Sequence, residues 1–181
     1  MNKHPFRQDS TFLYFTGCPI PCSAALLSED RFTLFLPEPA EDDPLWHGAM
    51  PGLEELRNRF GADEVHPIAV LTNLVTDQVK TLAVSDPKQN RILEQITGKP
   101  FEFGRQHGNR ELVDAVIRLR RQKSAQEITA MVSAANHTRA AHEAVMRATH
   151  PGVHERSLAA LFQAVLAARG CALGYPTILT Q

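Results

Sequence analysis

Three cysteines and eight histidines are the side chains best able to hold a metal or attack a substrate in this 181-residue chain. Their spacing limits what they can do. Cys18 and Cys22 flank Pro19-Ile20-Pro21. A structural zinc site needs four ligands, and no second pair stands at a suitable distance along the chain. Reduced thiols in a turn are the reading for Cys18 and Cys22. Cys171 lies far from both, and an odd count argues against a disulfide framework. His142-Glu143 and His154-Glu155 imitate the start of a helical zinc motif. That motif needs a second histidine four residues after the first, and Met146 and Leu158 stand there. Asp42 and Asp43 are adjacent carboxylates in the acidic, proline-rich loop 37–44, where ordering entropy opposes a tight cation site. Arg7 reads as a structural arginine that fixes the Asp9-Ser10 turn by bidentate pairing. His142 reads as a partly buried core histidine, and Met131 and Met146 as core filling. Trp46 is the only tryptophan. It either pins its own loop or offers a large, rigid surface to a partner.

The elements that position these residues change character along the chain. Residues 11–36 read as β structure: an aromatic run at 12–15, then apolar runs at 24–27 and 32–36 around the turn Ser28-Glu29-Asp30. A helix over 52–60 ends at Gly61. A short strand follows at 65–68, a helix at 70–79, another strand at 81–84, and a helix at 87–96 closed by Gly98. This alternation predicts an α/β layer sandwich. From residue 109 the pattern is helical. Residues 111–120 carry an apolar stripe followed by Arg118, Arg120, Arg121 and Lys123, a basic cluster suited to a solvated helix C-terminus. Ser124 and Glu127 form a capping box that starts a long helix ending at Pro151-Gly152. A further helix puts Leu158, Leu161, Phe162, Val165 and Leu166 on one stripe, with Gly170 placed to close it. Residues 175–181 read as the start of a strand. Two packed helices leave apolar surface that a sheet would have to cover.

Composition sets outer limits. The chain is 43% hydrophobic and 22% charged, which fits a folded protein. A formal net charge of -1 supplies no field for nucleic acid or an anionic membrane. No run approaches the ~18 apolar residues of a membrane span. Residues 1–5 carry no apolar core of a secretory leader, so the cytoplasm is the expected compartment, with no nucleic-acid or membrane partner.

Three segments in order carry a family resemblance. Phe6-Arg7-Gln8-Asp9-Ser10 through Tyr14-Phe15-Thr16-Gly17 resembles the opening signature of the N-terminal domain of Xaa-Pro aminopeptidases (aminopeptidase P). Arg120-Arg121-Gln122-Lys123-Ser124 through Glu127-Ile128 is similar to the junction with the metallopeptidase domain. Pro151-Gly152-Val153-His154-Glu155, Gly170 and Tyr175-Pro176-Thr177-Ile178 resemble the opening of the pita-bread catalytic fold. The resemblance implies a creatinase-like α/β domain over 1–108, a linker helix over 109–124, and the start of a pita-bread domain over 125–181.

It also implies a function. Family enzymes are metal-dependent proteases that remove an N-terminal residue preceding proline. They use a dinuclear site, usually Mn2+, held by two Asp, one His and two Glu. In the family all five ligands lie beyond the strand that begins at Tyr175, so this chain is expected to stop ahead of them and to be inactive by itself. Its expected work is to shape substrate access and to build a homo-oligomer. Trp46 resembles a family tryptophan that lines a neighbouring subunit's substrate pocket; no catalytic or metal-binding residue is expected in the chain. Several positions depart from the family pattern. Only five residues precede Phe6, where the family has a strand; Ile20 stands where an acidic residue is common; and the loop after the second hairpin strand carries Glu38 and Glu41 where the family tends to have arginines. The competing expectation is a non-enzymatic, peptide-binding or scaffold module of the same superfamily.

Overall fold

Asp9 decides the first element. Its carboxylate accepts hydrogen bonds from the backbone N–H groups of Thr11 and Phe12, each at 2.9 Å. That capping starts helix α1 (Ser10–Thr16). Gly17, at φ 63°, closes it by donating its N–H to the Leu13 carbonyl at 2.8 Å. The aromatic run read from sequence as β structure is therefore helical. An N-cap before it and a left-handed glycine after it outweigh the β propensity of Phe12, Tyr14 and Phe15.

The computed structural model describes residues 6–40, 42–49, 51–76, 78–100 and 109–179; the side chains of Trp46 and His47 lie outside the description. The chain forms two compact units, residues 1–118 and 119–181.

In the first unit, β1 (Ala24–Leu27) and β2 (Phe32–Leu36) make the expected antiparallel hairpin, with Ala24 opposite Phe35 and Leu27 opposite Phe32. Its turn is tied by the Ser28 N–H donating to the Arg31 carbonyl. Two short helices follow, α2 (Asp43–His47) and α3 (Leu53–Phe60). β3 (Glu64–Pro67) then joins β2 in parallel, Thr33 opposite Glu64 and Leu36 opposite Pro67. The order β1-β2-β3 makes a small mixed sheet with β2 at its centre. Central placement explains why Thr33, Leu34, Phe35 and Leu36 are all buried: a strand covered on both faces needs apolar residues at successive positions. Leu34 and Leu36 pack with Cys18, Leu56 and Ala62, and Phe12, Ile20, Phe60 and Val65 close around them. The fold class expected from the sequence, α/β with a mixed sheet and flanking helices, is the one observed.

Beyond β3 the expectations fare unevenly. The helix read over 70–79 is a 3-10 turn (Ile68–Val70) and one turn of helix, α4 (Leu71–Leu74). Val75 is extended at φ -100° and ψ 133°; β-branched residues at 75 and 76 gain little from continuing a helix. The strand read over 81–84 is absent. In its place the Asn90 amide binds both backbone groups of Val84: the Val84 N–H donates to Oδ1 and Nδ2 donates to the Val84 carbonyl, each at 2.8 Å. One side chain thus supplies what a neighbouring strand would. Asn90 sits on α5 (Pro87–Thr97), capped by Asp86 and closed by Gly98. Residues 101–108 lie outside the described residues.

Helix α6 (Arg110–Arg121) carries the basic cluster at its end as expected, and the division between the units falls within it. The second unit is built on α7 (Ala125–Ala148) and α8 (Glu155–Ala167). The capping box is present: the Glu127 N–H donates to Ser124 Oγ at 3.2 Å, and the Ser124 N–H to Glu127 Oε2 at 2.8 Å. Gly170 closes α8 through two bonds, Gly170 N–H to the Ala167 carbonyl and Cys171 N–H to the Leu166 carbonyl, both 3.0 Å. This is the Schellman arrangement. The α8 stripe faces inward, with Leu158 and Leu166 buried and Ala141 of α7 fully buried.

Two readings of this unit need correction. Met131 and Met146 are 57% and 66% exposed and do not fill a core. Helix α7 carries two apolar stripes, and α8 covers one of them. Ile128 and Val132 lie on the uncovered stripe with the two methionines. Residues 175–179 form no strand, because extended backbone needs a pairing partner and none of the described residues provides one.

Candidate functional site

Within the second unit the chemistry-bearing side chains gather in one place. A cleft of about 520 Å³ runs between α7, α8 and residues 171–179. Helical spacing puts His137, Thr138, His142 and Val145 along one edge. Phe162 and Leu166 come from α8, and Cys171, Tyr175, Thr177 and Ile178 from the segment that follows. The Schellman turn at Gly170 directs that segment back along the helices.

Among the described residues that line the cleft, His137, His142 and Cys171 are engaged separately. His142 is exposed, contrary to the core reading, and its ring meets Phe162 edge-on at 5.0 Å and 64°. Its neighbour Glu143 lies 3.8 Å from Arg139 and 3.9 Å from Arg147, so the carboxylate is engaged along its own helix. His137 Nε2 lies 3.4 Å from Ser133 Oγ. The Cys171 thiol donates to the Arg169 carbonyl at 3.7 Å. The Thr177 hydroxyl is buried and finds no hydrogen-bond partner among the described residues.

The remaining candidates are dispersed. The main chain of Trp46 lies on the short helix α2, where the sequence predicted a loop; its side chain is outside the described residues. Asp43 accepts from the Ala40 N–H at 2.7 Å. Cys18 is buried and Cys22 exposed, with Cys22 at φ 55°, and both thiols are free. Arg7 is exposed beside the Asp9 turn. One cluster went unnoticed in the sequence: Glu64 bridges Arg31 and His66, both at 3.2 Å. Its signal was available, since residues two apart on a strand share a face. The Lys80 ammonium donates to Glu111 Oε2 at 2.8 Å. That hydrogen bond, with the charge of Lys80, holds the Glu111 carboxyl below the usual carboxylate range.

Dinuclear manganese requires several oxygen donors converging on each ion. Among the described residues no group of three or more His, Cys, Asp or Glu side chains is placed to hold a metal. The described residues therefore offer no donor set that fits the metal pair. No helix among the described residues is long and apolar enough to cross a membrane.

A small mixed sheet with flanking helices, followed by a long helical segment, is the architecture of an aminopeptidase P N-terminal region. The solved Pseudomonas aeruginosa aminopeptidase PepP superposes with a TM-score of 0.75 at 25% identity, over 92% of this chain and 41% of that one. Zinc-substituted Escherichia coli aminopeptidase P, solved with product, shares the fold at a TM-score of 0.75 and 22% identity, over 93% of this chain and 42% of its own. Residues 1–84 match the model of the aminopeptidase P N-terminal domain. The probable Xaa-Pro aminopeptidase pepP of Aspergillus fumigatus is 34% identical over 176 residues, covering 92% of this chain and 36% of that protein. The mitochondrial intermediate cleaving peptidase 55 of Arabidopsis thaliana is 36% identical over 78 residues, 42% of this chain and 16% of its own length. The resemblance to the aminopeptidase P family lies in the N-terminal region of those proteins, and the chain spans 36% of the length of the first of these relatives.

Proposed function

We propose that this chain is the N-terminal part of an Xaa-Pro aminopeptidase, a metal-dependent hydrolase that removes a residue preceding proline. Its own part is to shape substrate access and to make oligomer contacts, with Trp46 reaching a neighbouring subunit's pocket. The observation that carries this reading is the 34% identity to a probable Xaa-Pro aminopeptidase along 92% of the chain. Residues 1–108 act as the N-terminal domain, 109–124 as linker, and 125–181 as the start of the catalytic domain. In the complete enzyme the manganese pair and the peptide with proline at its second position would be held by the catalytic domain of which residues 125–181 are the proposed start. Three free thiols suit a reducing compartment, and the cytoplasm is the proposed one.

The test is direct. Isothermal titration of the 181-residue chain with MnCl2 should give no binding heat, and a peptide with proline second should not be cleaved. Micromolar metal binding with proline-dependent turnover would overturn the reading.

A second reading, a non-enzymatic peptide-binding or scaffold module of the same superfamily, draws support from the uncovered stripe of Ile128, Met131, Val132 and Met146 on α7. The coding sequence downstream of Gln181 separates the two: an intact set of two Asp, one His and two Glu supports the enzyme.

A further inference from the structure

We draw no further inference here: the strongest candidate, the mostly apolar cleft of about 520 Å³ between α7, α8 and residues 171–179, holds the buried Thr177 hydroxyl, but nothing in the structure shows what covers it.

Discussion

Replacing Asn90 tests the first unit at its least expected joint. Asn90 is 5% exposed, and its amide satisfies both backbone groups of Val84. Asn90→Ala removes both partners at once. A buried polar group left unsatisfied costs about 1–3 kcal/mol. Val84 is half-buried, so water reaches part of the gap and the low end applies to each group, about 2 kcal/mol together. Alanine returns about 0.5 kcal/mol of helix propensity within α5. The net loss is roughly 1.5 kcal/mol, which moves a urea midpoint by about 0.5–1.5 M for an m-value of about 1–3 kcal/mol/M.

Two compact units need not unfold in one transition, so amide exchange at Val84 is the sharper readout. It should accelerate about tenfold, the equivalent of about 1.4 kcal/mol. Arg91→Ala, exposed and one residue further along, is the control and should stay within about 0.5 kcal/mol of the parent. The reasoning fails if Asn90→Ala leaves Val84 as protected as before and unfolds at the same urea concentration as the control.

Other outcomes follow from the same geometry. Leu158→Ala should lower the stability of the second unit by about 2–3 kcal/mol, the low half of the range for a buried leucine, because one side of the helix pair is open; an unchanged helical melting curve by circular dichroism would contradict the α7–α8 packing. Lys80→Gln should raise the Glu111 carboxyl toward its ordinary value in an NMR titration, since Lys80 is what depresses it. A folded-state value below the unfolded one stabilises above the unfolded value and fades as pH falls through the folded one, so the pair should matter at neutral pH and vanish in acid. Limited proteolysis should leave a resistant N-terminal core ending between about residues 108 and 124; early cutting throughout 20–90 would count against an independently folding α/β domain.

What could be read from the sequence was whatever a local signal fixes. Gly61, Gly98 and Gly170 ended helices where expected, because a left-handed position favours glycine. The Ser124–Glu127 box was legible because both halves of the exchange lie within four residues. The hairpin 24–36 was legible from two apolar runs and a turn. Errors arose where a partner decides the outcome. Residues 81–84 and 175–179 have strand-like composition, yet one is served by an asparagine and the other by nothing among the described residues. The aromatic run 12–15 was misread because propensity was weighed above Asp9 and Gly17, whose capping roles were equally visible. For the candidate site, the exclusion of a zinc motif at His142 rests on spacing, which the sequence alone displays. The cleft itself could not be read, since it depends on the turn after α8 bringing residues 171–179 alongside α7.

The acidic side chains bear on the proposed division between recognition and chemistry. Metal-dependent hydrolysis needs carboxylates free to converge on a cation. In this chain at least seven of the twenty are seen engaged in building the fold. Asp9 and Asp86 cap helices, and Glu127 completes the capping box. Asp63 accepts from the Phe32 N–H at 2.7 Å and so aligns β3 with β2. Glu64 holds Arg31 and His66, Glu111 holds Lys80, and Glu143 lies between two arginines. They are spread over α1, β3, α5, α6 and α7, and drawing any three together would unmake a cap, a strand register or an ion pair. Among the described residues α7 also exposes an apolar stripe of Ile128, Met131, Val132 and Met146. A hydrophobic stripe left exposed beside carboxylates that hold their own fold is what the proposed role of positioning other polypeptide would use, whether that is the remainder of an enzyme or a peptide held by a scaffold.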